Sequence, residues 1–234
     1  MKRIMFVIPF AGGSSQSFAP WKDAEEFTFY YVDIPGKGKN RERPFLKSME
    51  EMGKFCADDI SSVLEKEDVK EYYLWGHSMG SYLSYEAIKV LVEQGSLLPS
   101  RLILSGTVGP ERINRVEMRR HLGSDEKFLD YIIDFGLVSE KISKSRFFQS
   151  KFLPVIKNDY EALEKYHAKK VVIPGLRTMV INGEDDATVN YQDAIQWSEY
   201  FEEEILFKWV SGNHFFVLDG MRIVNDIIRD ISHI

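Results

Sequence analysis

Five consecutive residues, Gly76-His77-Ser78-Met79-Gly80, constrain this chain more than any other stretch. They match G-x-S-x-G. The residues before them, Glu71-Tyr72-Tyr73-Leu74-Trp75, read as a short buried strand. After them Leu83, Ala87, Val90 and Leu91 recur at helical spacing, with Gly95 as the stop and Pro99 beyond it. Strand, glycine-flanked serine and helix together predict a nucleophile elbow. The turn is so sharp that side chains at positions 76 and 80 would clash where the strand and helix backbones approach. Ser78 then sits strained above the sheet edge, and the Met79 amide N–H at the helix start faces any negative charge that develops on a substrate oxygen.

A strand that enters such a turn needs a parallel sheet around it, and the chain supplies one. Ile4–Ile8 is a continuous apolar run, as a central parallel strand should be. Further strands are expected at Phe27–Val32, Leu102–Ser105, Thr178–Ile181 and Ile205–Val210, with an amphipathic helix at Met49 to Glu65, a helix containing Ile195, Trp197 and Phe201, and a closing helix around Val224, Ile227, Ile228 and Ile231. The prediction is one α/β domain spanning residues 1–234, with about six mostly parallel strands and crossover helices. From Gly106 to about Gly175 the strand–helix rhythm breaks, with helical pieces at Phe128-Leu129-Asp130-Tyr131-Ile132-Ile133 and from Tyr160 to Tyr166. We expect a helical insertion over the active site here, a lid at about residues 110–170.

Composition removes several function classes. With 36 acidic against 30 basic side chains, the formal charge of −6 argues against non-specific nucleic-acid binding. No stretch approaches the ~18 apolar residues of a membrane span. The apolar start runs into Pro9 and a double glycine with no small-residue cleavage site, so it reads as a buried strand in a cytoplasmic protein, with no membrane partner. The lone Cys56 lies on the apolar face of the first long helix and reads as core. The loop Pro9-Phe10-Ala11-Gly12-Gly13-Ser14 has neither the spacing of a dinucleotide fingerprint nor the lysine of a P-loop.

A serine hydroxyl barely ionises at neutral pH, so it needs a base within reach and a group that orients the base. Of the five histidines, only His214 follows a strand in a glycine-containing loop late in the chain, as the order Ser…Asp…His requires. The acid belongs on a loop after an earlier strand, where Asp185 and Asp186 both qualify, and spacing alone does not separate them. The loop after the first strand would supply the second oxyanion donor, the amide N–H of Ala11, or of Phe10, paired with Met79.

Six segments in order carry a family resemblance. They are Pro9-Phe10-Ala11-Gly12-Gly13-Ser14, Pro35-Gly36-Lys37-Gly38, Trp75 to Gly80, the stretch Phe152-Leu153-Pro154 to Asp159-Tyr160-Glu161-Ala162-Leu163-Glu164, the span Gly183 to Val189 containing Asp186, and His214-Phe215-Phe216. Together they resemble the type II thioesterases, stand-alone partners of nonribosomal peptide and polyketide synthases in the α/β-hydrolase superfamily. The resemblance covers almost the whole chain. It implies Asp186 as the acid, three residues after the glycine, and Ala11 as the oxyanion donor. It also implies hydrolysis of acyl or aminoacyl thioesters from the phosphopantetheine arm of a carrier protein, clearing misprimed or stalled groups. No metal or diffusible cofactor is required, because the substrate brings the phosphopantetheine, and the enzyme is expected to be a monomer. Lys37 departs from the arginine usual at its position.

The expected partners are acyl or peptidyl carrier protein domains, which present an acidic helix beside their prosthetic group. Two basic clusters could meet them: Lys37, Lys39, Arg41 and Arg43 after the second strand, and Arg112, Arg115, Arg119 and Arg120 after the fourth. In a parallel sheet both loops lie on the edge that carries Ser78. Phe10, Lys37, Lys39, Arg119 and Arg120 are therefore the candidate contacts. Two other readings compete: a general carboxylesterase or lipase with the same triad, and a binding protein that kept the fold without the chemistry.

Overall fold

Six parallel strands form one sheet in the order β2-β1-β3-β4-β5-β6. The computed structural model describes residues 3–23, 27–113, 120–219 and 224–229. The strands are β1 (Arg3–Ile8), β2 (Phe27–Tyr31), β3 (Tyr72–His77), β4 (Arg101–Ser105), β5 (Thr178–Gly183) and β6 (Leu206–Val210). Each falls within a residue or two of the apolar run that predicts it. Every residue of β3 and β5 is buried, whereas β2 and β6 at the edges are partly open. Paired on both sides and covered on both faces, a central strand meets no water, so its apolar run is unbroken.

Two apolar layers cover the sheet. On one face lie α1 (Met49–Lys66) and α2 (Met79–Glu93), which bury Met52, Cys56, Ile60, Leu83, Ala87 and Leu91 against Phe6, Leu74 and Leu102. On the other face Phe18 and Trp21, from a 3-10 segment at Ser15–Asp23, pack with Val217, Val224 and Ile227 against Met5, Trp75 and Ile103. Ser48 caps α1 by accepting the Glu51 N–H. The strand order reverses between β1 and β3, so the loops after both strands open at one crevice. Such a switch point is where open α/β sheets bind ligands.

Between β4 and β5 the described residues form only helices and turns, apart from an isolated bridge from Ile173 to Phe201. The helices are α3 (Pro110–Ile113), α4 (Asp125–Asp134), α5 (Glu140–Ser143), α6 (Arg146–Lys151) and α7 (Leu153–Glu164). Ser124, Ser139 and Ser145 cap α4, α5 and α6 by accepting backbone N–H bonds three residues on. One expectation is corrected after β5. The expected helix through Phe201 is a single turn, α8 (Tyr191–Ala194), followed by a 3-10 segment ending at Tyr200. Phe201 is pulled into the extended bridge with Ile173, which ends the helix. Residues 224–229 are helical, as expected, while Ile231 lies outside the described residues. No described helix is long and apolar enough to cross a membrane.

Candidate active site

Ser78 stands between β3 and α2 with φ 54° and ψ −118°, a left-handed conformation for a residue with a side chain. Such a conformation costs on the order of 1–3 kcal/mol and persists only where its surroundings hold it. Here they do so closely. The Ser78 N–H donates to the Ser105 carbonyl at 2.7 Å, and the Ser81 N–H donates to the Ser78 carbonyl at 2.9 Å. A Cβ on Gly80 would land on the Ile8 carbonyl, and one on Gly76 on the Gly80 carbonyl. Both glycines are therefore required by backbone approach, as the motif predicts.

His214 lies in the loop after β6 and reaches both partners. Its Nε2 is 2.9 Å from Ser78 Oγ and its Nδ1 is 2.6 Å from Asp186 Oδ2. A carboxylate only accepts, so Nδ1 carries the proton and Nε2 is left to accept from the serine hydroxyl. Asp186 is buried and Asp185 exposed, which separates the two candidates that spacing leaves equal. The loops are joined by backbone bonds: the Glu184 N–H donates to the Val210 carbonyl and the Asp185 N–H to the Gly212 carbonyl. Burial pushes the Asp186 carboxyl up, but hydrogen bonds from His214 and Thr188 outweigh it and leave the group below its ordinary value.

Thr188 is a residue that sequence reasoning missed. Its N–H and its hydroxyl both donate to Asp186 Oδ1, at 2.9 and 2.6 Å, which frees Oδ2 for His214. Its only sequence signal is a hydroxyl two residues after an aspartate, the pattern of an Asx turn. Ser105 is a second omission. Its hydroxyl accepts from Trp75 Nε1 at 2.7 Å and lies 2.9 Å from His77 Nδ1. The His77 ring lies beneath His214, with centroids 5.4 Å apart. Burial, and then the neighbouring His214, hold its pKa well below the ordinary value, so it stays neutral. A neutral ring there adds no positive charge to compete with an imidazolium on His214.

A cavity of about 410 Å³ opens over Ser78. Ala11, Ser78 and His214 line it on the sheet side, and Ile113, Tyr131, Phe135, Tyr160 and Leu163 line it from the segment between β4 and β5. Ala11 thus lies at the cavity beside Ser78. Met79 is the first residue of α2, so its N–H has no acceptor within the helix.

The five candidate contacts fare differently. Phe10 is corrected: it is buried beneath the site and packs edge-on against His77 and Phe215, because an apolar ring on this face fills the layer under His214. Lys37 is also corrected. Its side chain is 6% exposed and its ammonium is paired with the equally buried Asp159 carboxylate, so it is not a surface charge. Lys39 is 55% exposed and pairs with Asp59 at 3.2 Å. Arg120 opens the 3-10 turn Arg120–Leu122, and Arg119, like Arg115, lies outside the described residues.

Comparison with known proteins adds the chemistry. Residues 3–234 match the family described as the thioesterase domain. Among curated proteins, the probable anguibactin biosynthesis thioesterase AngT of Vibrio anguillarum is 27% identical over 96% of this chain and 89% of its own length. The gramicidin S biosynthesis protein GrsT of Aneurinibacillus migulanus is 24% identical over 92% and 83%. Among solved structures, the type II thioesterase YbtT from the yersiniabactin NRPS/PKS pathway superposes with a TM-score of 0.85 at 25% identity, covering 99% of this chain and 94% of that one.

Proposed function

This chain belongs to the thioesterase domain family, and on that premise we propose that it is a stand-alone type II thioesterase. It hydrolyses acyl or aminoacyl thioesters from the phosphopantetheine arm of carrier protein domains, releasing misprimed or stalled groups from a nonribosomal peptide or polyketide synthase. One observation carries the chemistry: Ser78, His214 and Asp186 form an unbroken hydrogen-bonded relay that ends at the cavity over Ser78. The similarity to proteins of anguibactin, gramicidin S and yersiniabactin biosynthesis supports the choice of substrate class. The same role implies a monomeric enzyme that meets its carriers in the cytoplasm.

In the first half-reaction His214 Nε2 takes the Ser78 proton as Oγ attacks the thioester carbonyl carbon. Charge develops on the carbonyl oxygen, which the Met79 and Ala11 N–H groups receive. Asp186, kept ionised by its hydrogen bonds, stabilises the imidazolium on His214. Collapse of the tetrahedral adduct breaks the carbon–sulfur bond, and the departing thiolate takes the proton from His214 Nε2. In the second half-reaction water gives a proton to His214 and attacks the acyl-Ser78 ester. The acid is released and the proton returns to Ser78 Oγ. The helices α3 to α7 act as a lid that walls the acyl group from solvent.

The deciding experiment compares kcat/KM for an acyl-loaded carrier protein with that for a p-nitrophenyl ester of the same acyl group. The expected result is a clear preference for the carrier thioester, abolished in Ser78→Ala. Equal or better hydrolysis of the simple ester would make the protein a general carboxylesterase.

A further inference from the structure

The loop that carries Ala11 is a tight turn. The Gly13 N–H donates to the Phe10 carbonyl at 2.9 Å and Gly12 has φ +77°, so Ala11 and Gly12 are the central residues of a type II-like turn. The peptide between them, made of the Ala11 carbonyl and the Gly12 N–H, sets the form of the turn. Its N–H, that of Gly12, donates to Asp159 Oδ2 on α7 at 2.6 Å. The same oxygen holds the ammonium of Lys37 from the loop after β2. Both side chains are more than nine-tenths buried. Burial raises the Asp159 pKa, against the pull of Lys37 and of the Gly12 N–H. The neighbouring Asn158 donates to the Leu46 carbonyl at 3.0 Å and accepts from Lys47 at 2.8 Å, so this turn of α7 is tied to the body of the protein.

A buried ion pair gains little net stability over an apolar pair of the same size, so its presence here calls for another reason. From this geometry we propose that Asp159, kept in place by Lys37, is a positioning residue for the oxyanion site: by holding the Gly12 N–H it tethers the turn to α7, and so keeps Ala11, whose own N–H lies in the preceding peptide, in register with the reacting carbonyl. The inference rests on the thioesterase reading, since it needs an oxyanion at Ser78. It gives Lys37 a place in the site in exchange for the surface role its charge suggests. It also links α7 directly to the catalytic loop, so that the insertion contributes to rate as well as to enclosure. Asp33 holds the next part of the loop in the same manner, accepting the Ser15 N–H at 2.7 Å and its hydroxyl at 2.8 Å.

Two double variants separate positioning from charge. Lys37→Met with Asp159→Asn removes both charges and keeps an oxygen for the Gly12 N–H. Lys37→Met with Asp159→Leu removes the acceptor as well. Each is assayed for kcat, KM and melting temperature with butyryl-N-acetylcysteamine, a small thioester that needs no carrier. Loss of one oxyanion donor costs about 100- to 1,000-fold in turnover, so a donor present but misaimed should cost about 30-fold. The expected result is a kcat for the leucine variant about that far below the asparagine variant, with KM within about 2-fold. Equal kcat values in two folded variants would overturn the inference. In the wild-type protein the Gly12 amide proton should be shifted downfield and protected from exchange. Free exchange of that amide would overturn the inference even if neither variant folded. Wild-type turnover of the thioester is the control, because its absence would remove the thioesterase reading itself.

Discussion

Asp186 and Asp185 are adjacent in the chain and differ in everything that matters chemically. Asp186 is buried and bonded to His214 and Thr188, while the Asp185 carboxylate faces solvent. Asp186→Asn should therefore lower kcat on a carrier thioester by about a thousand-fold or more, since the imidazole loses its orienting charge and tautomer. Asp185→Asn should change it by less than about 3-fold. Ser78→Ala should cost about a million-fold. A larger effect from Asp185→Asn would reverse the assignment of the acid. The depressed Asp186 pKa also predicts a pH dependence of stability. The folded state holds the Asp186 proton less tightly than the unfolded chain does, so the stabilisation is complete above the unfolded value of about 3.9 and is lost as pH falls through the lower folded value. The difference in melting temperature between wild type and Asp186→Asn should accordingly narrow as pH drops from about 6 to below about 3. A gap constant over that range would show that Asp186 is not held in its charged form.

The strand–turn–helix unit around Ser78 and the helical segment over it follow different rules. In the elbow backbone meets backbone, and a Cβ on Gly80 would overlap the Ile8 and Pro9 carbonyls, neither of which can step aside. Gly80→Ala should destabilise the protein by about 3 kcal/mol or more in denaturant unfolding. A cost below about 1 kcal/mol would mean that the strand and helix can separate. The segment between β4 and β5 is uneven. Helix α7 is tied down by Asp159, Asn158 and Lys157, whereas α5 and α6 expose Ile142 and Phe147 at 53% and 66%. Hydrogen exchange should be slow in α7, comparable with β3 and β5, and much faster across residues 140–151. Equal protection throughout would remove any gating by this segment.

At the scale of the whole molecule the question that the proposed function raises is how an acidic protein would meet an acidic carrier. With a net charge of −6, attraction must be local. With Lys37 buried, the remaining basic groups on this edge include Arg41 and Lys151. They line a second cavity, of about 590 Å³, together with Phe45, Phe147 and Phe152. Arg41 is 75% exposed and shared with Glu42 on the surface. Reversing Arg41 and Lys151 to glutamate should raise KM for an acyl-loaded carrier several-fold at low salt and leave a small thioester unaffected. The effect should fade as salt rises, because exposed charges are screened over ~10 Å at 0.1 M. Unchanged carrier kinetics at low salt would leave docking to the apolar side chains.

Contacts within a few residues are legible in a sequence because the chain itself enforces them. Apolar runs mark all six strands, Gly76 and Gly80 mark the elbow, and serines three residues ahead of an N–H mark the starts of four helices. The late position of His214 after a strand also follows from local pattern and order. Other features depend on which segments the sheet brings together. Choosing Asp186 by contact requires knowing which carboxylate faces a histidine 28 residues away. Thr188 is unremarkable until Asp186 turns inward. Lys37 reads as one more surface lysine in a basic loop until α7 closes over it, and the Gly12 N–H meets Asp159 across 147 residues of chain. Local spacing determined the fold and the nucleophile. Burial and long-range pairing, which depend on distances no short stretch encodes, decided which charges act and which are sealed in the core.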